Sequence, residues 1–151
     1  MDDERVDLGV SLFIPYRYAE DRIFRTLQDA GFDDWTLAQC RVFQRIASAG
    51  SRLTDLADQA QISKQNAGEM VDQLERLGYV RRLPDPTDGR ARLIVIERRG
   101  RRAIEVAMAT RDEIFLEWKV YLGTRNFTLL HQILGQLREI TDPYAEQTSP
   151  G

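Results

Sequence analysis

The chain has 151 residues, 42% of them hydrophobic and 30% charged, and a formal net charge of −3. This is the composition of a globular protein with its own core rather than a disordered one, and no apolar run approaches the ~18 residues that cross a bilayer. One cysteine (Cys40) excludes an internal disulfide, and with one histidine (His131) no His/Cys metal cluster forms within a chain. The acidic opening MDDERVD lacks the basic start of a secretory signal, so a cytoplasmic protein without membrane anchor, metal or cofactor is expected.

In chain order, Leu8, Leu12, Tyr16, Ala19, Ile23, Leu27 and Ala30 recur at threes and fours and predict a long first helix. Pro15 falls inside it, predicting a kink or a later start, and Gly31 suits its stop. Thr36 with Gln39 forms a capping-box pattern for a second helix carrying Leu37, Cys40, Val42, Phe43 and Ile46 and ending by Gly50. Thr54 is the expected cap of a short third helix, and Ser63 that of a fourth striped by Ala67, Met70, Val71, Leu74 and Leu77 and ended by Gly78. Residues 79–83 and 91–96 then read as a hairpin turning at Asp88-Gly89. A fifth helix is expected from about Arg99 to Tyr121. A sixth, capped by Thr124, carries Leu130, Ile133, Leu134, Leu137 and Ile140. No strand–helix–strand repeat occurs, so the expected class is mainly α (α+β) rather than a doubly wound sheet.

Charge is unevenly spread. Residues 61–102 hold ten basic and six acidic side chains, a net of +4, against −7 for the remainder. The fourth helix keeps Ser63, Lys64, Gln65, Asn66, Glu69 and Gln73 off its apolar stripe, the residue types that reach base edges and phosphates when a helix lies in a major groove. A tight turn before this helix and a hairpin after it describe a winged helix-turn-helix. No nucleophile elbow or Gly-rich phosphate loop is present, and a lone helical His131 reads as structural, so no enzyme is expected.

From Leu53 onward, LTDLADQAQISKQNAGEMVDQLERLGYVRRLPDPTDGRARLIVIERRGR resembles the MarR family of bacterial transcription regulators, and WTLAQCRVFQRIA is similar to that family's second helix. Two departures are visible: Glu97 stands where the family commonly has Thr before the fifth helix, and Pro15 interrupts the first. The resemblance implies a single domain over 1–151, with a winged helix-turn-helix over 52–98. Long N- and C-terminal dimerisation helices over 7–31 and 99–141 and a flexible tail over 142–151 complete it. It implies a homodimer on a pseudo-palindromic double-stranded operator, acting as a repressor. The fourth helix would place Ser63, Lys64, Gln65, Asn66 and Gln73 in the major groove. The wing would bring Arg90 to the minor groove, with Asp88 steadying its guanidinium and Arg92 on phosphate. Release by a small aromatic or lipophilic ligand is a further implication, in a cleft bordered by Phe13, Tyr16, Trp35, Phe43 and Trp118, although such aromatics also suit a core. Cys40, among apolar neighbours, reads as an inert small hydrophobe rather than a redox sensor. The rival reading is a winged-helix protein-interaction module without specific DNA binding.

Overall fold

Helix starts in this chain are set mostly by side chains that take up amides a helix leaves unpaired. The structure is a computed structural model and describes residues 7–144. Asp7 opens α1 (Leu8–Asp29) by accepting the N–H groups of Gly9 and Val10 at 2.8 and 3.3 Å. This corrects the expectation of a start near Pro15: the capped helix runs through the proline, forgoing one internal hydrogen bond. Gly31, at φ +96°, ends it, and Phe32 donates its N–H back to Leu27.

The capping box is present at α2 (Leu37–Phe43). Gln39 N–H donates to the Thr36 hydroxyl, and Thr36 N–H donates to the Gln39 side-chain oxygen. α3 (Leu53–Ala60) starts after Arg52 with no side-chain cap, and Thr54 lies inside it. Its last turn gives way to Gln61, which holds φ +54°, a left-handed conformation more often given to glycine. Ser63 caps α4 (Lys64–Arg76), accepting Asn66 N–H at 3.0 Å.

The hairpin pairs β1 (Val80–Asp85) with β2 (Asp88–Ile96) antiparallel, Leu83 facing Leu93 and Asp85 facing Asp88. The turn is therefore Pro86-Thr87, not Asp88-Gly89. Asp85 accepts both the N–H and the hydroxyl of Thr87 at 2.8 Å, an Asx turn that closes the hairpin two residues early. Ser51 extends the sheet by exchanging backbone hydrogen bonds with Ile94. α5 (Arg98–Leu122) begins after Glu97, whose carboxylate accepts Arg98 N–H, so the unusual residue still caps the helix. Gly123, not Thr124, precedes α6 (Thr124–Thr141).

The core lies within the middle of the chain. Leu56, Val71, Leu74, Tyr79, Val80 and Ile94 are fully buried and join α2, α3, α4 and the hairpin. Each of the aliphatic ones contributes ~1.5–3 kcal/mol by leaving water. Trp35 stacks on Tyr79 at 4.0 Å between ring centroids, with Phe43 edge-on to both. Gly100 lets α5 cross this core: a Cβ there would stand 2.5 Å from the Tyr79 carbonyl oxygen and 3.0 Å from the Phe43 ring. α1 and α5 pack along each other, joined by Arg22 and Glu117 in a two-pronged ion pair at 2.5 and 2.7 Å. The expected tail from Asp142 falls partly outside the described residues; at its start Arg138 donates to Asp142 at 2.9 Å.

Candidate nucleic-acid interface

The helix-turn-helix is α3 and α4, joined by the Gln61 turn, with the hairpin as wing. α4 buries Ala67, Val71 and Leu74, so its opposite side carries Gln65, Glu69, Asp72 and Arg76 at helical spacing. Ser63, Lys64, Gln65, Asn66 and Gln73 are all exposed, and the first four cluster at the helix start. They do not all stand alike. Ser63 spends one lone pair on its cap, Gln65 leans on Glu69 at 3.5 Å, and Gln73 accepts a hydrogen bond from the buried Gln39 amide.

Two α4 carboxylates that would repel a polyanion are neutralised from the wing. Arg82 reaches Asp72 at 2.8 Å and Glu75 at 3.0 Å. Glu69 has no ion pair among the described residues, leaving it as an acceptor for a base amino group.

The wing is anchored at its tip. Asp85 is buried, and Arg52, just ahead of α3, donates to it at 2.9 and 2.7 Å. The Thr87 N–H, the Thr87 hydroxyl and the Arg52 guanidinium together pull the Asp85 carboxyl down to a pKa of about 2. Asp88 accepts the backbone N–H of Arg90 at 3.1 Å. It thus shapes the backbone beside Arg90; no ion pair between the two side chains occurs among the described residues. Arg90 and Arg92 are exposed and likewise without an ion pair among the described residues.

Three further arginines of the basic segment are engaged within the chain. Arg81 pairs with Glu97 at 2.7 Å. Arg101 donates to the Ile96 carbonyl at 2.9 Å. Arg99 donates to Asp34 and to the Leu77 carbonyl at 2.7 and 2.6 Å and lies over the Tyr79 ring. Their role is to hold α5 against the hairpin and the α1–α2 connection.

The five aromatics expected around a ligand cleft are not brought together in one chain. Trp35 and Phe43 belong to the Tyr79 core, Trp118 packs on Phe115, and Phe13 and Tyr16 are exposed on α1. Of the five, Tyr16 lines a cavity of about 490 Å³ with Gln44, Arg45, Gln59, Arg138, Asp142 and Tyr144. Another cavity, about 210 Å³, lies between α2 and α4 and is walled by Thr36, Gln39, Asn66, Glu69, Met70 and Gln73. Burial, reinforced by Glu20, pushes the Cys40 thiol up to about 12. Among the described residues no cluster of His, Cys, Asp and Glu could hold a metal, and no helix is long and apolar enough to cross a membrane.

Sequence reasoning missed Arg52, Asp85, Gln39 and Arg82. The long-range partners of all four have no local signature.

Comparison with known proteins agrees with this architecture. The model of the MarR family matches residues 33–91, which span α2 to the start of β2. The transcriptional activatory protein BadR of Rhodopseudomonas palustris is 28% identical over 105 residues, 66% of this chain and 60% of that protein, so the match spans less than two thirds of the relative's length. Transcriptional regulator Tm0710 of Thermotoga maritima superposes with a TM-score of 0.64 at 25% identity, over 93% of this chain and 97% of that one. Wild-type MarR of E. coli in its apo form gives 0.69 at 21% identity, over 89% and 98%. NadR in complex with 4-hydroxyphenylacetate gives 0.68 at 23% identity, over 93% and 98%. The last two likenesses speak for the fold.

Proposed function

We propose that the chain is a transcriptional regulator of the MarR family, whose model it matches, and that it binds a specific double-stranded DNA site as a homodimer, one α4 in each of two major-groove half-sites. The observation that carries this is the division among the arginines. Arg52, Arg81, Arg82 and Arg99 are paired with carboxylates, whereas Arg90 and Arg92 project from a wing braced by Arg52 and Asp85, beside an α4 whose first turn exposes Ser63, Lys64, Gln65 and Asn66. Fixed, unpaired cations beside an exposed reading helix suit phosphate and a narrow minor groove.

The second copy is supported by what the outer helices leave bare. α6 has no buried residue, and Leu130, Ile133, Leu134 and Leu137 are exposed along it, together with Phe13 and Ile14 of α1 and Leu116 and Val120 of α5. An apolar surface of that extent is an interaction surface, and a two-fold dimer is the usual match to a two-fold site. Pairing would also assemble a ligand cleft that a single chain does not form. The complex of NadR with 4-hydroxyphenylacetate supports an aromatic acid as the class of effector. We take repression released by such a ligand as the working mode; the name of the Rhodopseudomonas relative makes activation its direct competitor.

The test is a salt titration of binding to duplexes from the region upstream of the coding sequence. Affinity should fall steeply with salt as counterions compete. Arg90→Ala should cost ~1–3 kcal/mol. Equal affinity of the variant and the wild type removes the wing from the mechanism, and absence of binding to any duplex favours a protein-interaction module.

A further inference from the structure

The Gln39 amide has only one way to face. Its oxygen accepts the N–H of Thr36 at 2.9 Å, and a backbone N–H can only donate. The Gln39 Nε2 group must therefore point the other way, and there it donates to the side-chain oxygen of Gln73 on α4. Gln39 is buried, and Gln73 is the side-chain partner its Nε2 finds. The consequence passes to Gln73. With its oxygen turned towards Gln39, this exposed side chain has its N–H groups turned away from α2. Gln73 lines a polar cavity with Asn66 and Glu69 on the flank of α4.

We propose that Gln39 is a positioning residue that makes Gln73 a one-way hydrogen-bond donor towards the duplex. Gln73 then recognises an acceptor, either a phosphate oxygen or the acceptor edge of a base such as guanine O6/N7, and its oxygen, held towards Gln39, is turned away from the adenine-type pairing that a free glutamine makes with both ends of its amide. The inference rests on the DNA reading above and names the chemistry of one contact within it. α2 thus shapes what α4 reads without touching DNA.

Two variants separate the possibilities. Gln39→Glu keeps an acceptor for Thr36 N–H, since glutamate is the usual partner in a capping box. The introduced carboxylate cannot donate to Gln73, whose amide then turns to give that carboxylate its N–H and present oxygen outward. Gln73→Glu, at an exposed position that spares the fold, keeps the bond from Gln39 and also presents oxygen outward. Each is assayed by selection from a random duplex pool and by affinity for the duplex that the wild type selects. A base acceptor predicts that one position per half-site changes from an acceptor-presenting base to one offering an amino group. A phosphate acceptor predicts an unchanged profile with affinity lowered at least about fivefold on every duplex. In either case the effect of Gln39→Glu vanishes in a Gln73→Ala background. A wild-type chain that selects no duplex overturns the DNA reading and this inference together. A wild type that selects one, while both variants reproduce its profile and affinity, overturns this inference alone.

Discussion

The winged part of the chain closes on itself, whereas the outer helices do not. Across α3, α4 and the hairpin, Leu56, Val71, Leu74 and Ile94 are essentially inaccessible, and even the polar links between elements, Asp85 with Arg52 and Gln39 with Gln73, are made within one chain. α6 is striped as regularly as α4, yet buries nothing, and Ile140 at its end is 83% exposed. The same helical periodicity therefore serves two purposes. In one region it completes a core; in the other it leaves a surface that a second copy would cover. Under the proposed function, a reading head closed within the single chain and carried on helices covered by a second copy would let assembly set half-site spacing without altering the contacts made at each half-site.

The largest test of that contrast removes the partner and spares the reading head. Ile133→Asp with Leu137→Asp is expected to yield a folded monomer by sedimentation, with operator affinity reduced ~10²–10⁴-fold as the linked second site is lost. A variant that remains dimeric would place the interface elsewhere. Gly100→Ala strikes the opposite region. Its Cβ meets the Tyr79 carbonyl, so thermal unfolding should show a loss of ~1–3 kcal/mol, because α5 must shift off the hairpin.

A smaller effect is expected from acid on the wing brace. Asp85 is held at a pKa of about 2, below the ordinary aspartate range, so its ionised form is favoured by folding. Its contribution is complete above about pH 4 and is lost as the pH falls towards about 2. Hydrogen exchange at the Thr87 and Asp88 amides should accelerate across that window, and Asp85→Asn should be loosened at every pH. The smallest effect is at Cys40. With its thiol raised to about 12, it should resist alkylation at about pH 8 in the folded chain, and oxidants should leave DNA affinity unchanged. Rapid labelling of the native protein would contradict the burial assigned to α2.

Local chemistry was legible from the sequence where it is carried by neighbours in the chain. The Thr36–Gln39 box, the Ser63 cap, the Gly31 and Gly78 stops and the α4 stripe are all present. Boundaries went astray where a distant or less usual partner decided them. Asp7 caps α1 ahead of Pro15, and Asp85 closes the hairpin at Pro86-Thr87, where Asp88-Gly89 carried the stronger local turn signal. The candidate residues on α4 and the wing were nameable by type and position, but their states were not. Gln73 looks like any exposed glutamine until Gln39, 34 residues earlier, is found beneath it. Trp35 and Phe43 likewise carried two meanings, and only the stack on Tyr79 shows that they belong to the core of the single chain.

The central claim, a self-contained reading head that acts in pairs, is tested most directly by footprinting the chain on its upstream region while weighing the complex by sedimentation. The account predicts two protected half-sites about one helical turn apart, with two chains on each duplex. Protection of a single half-site by one chain, or no protection at any salt, would contradict it.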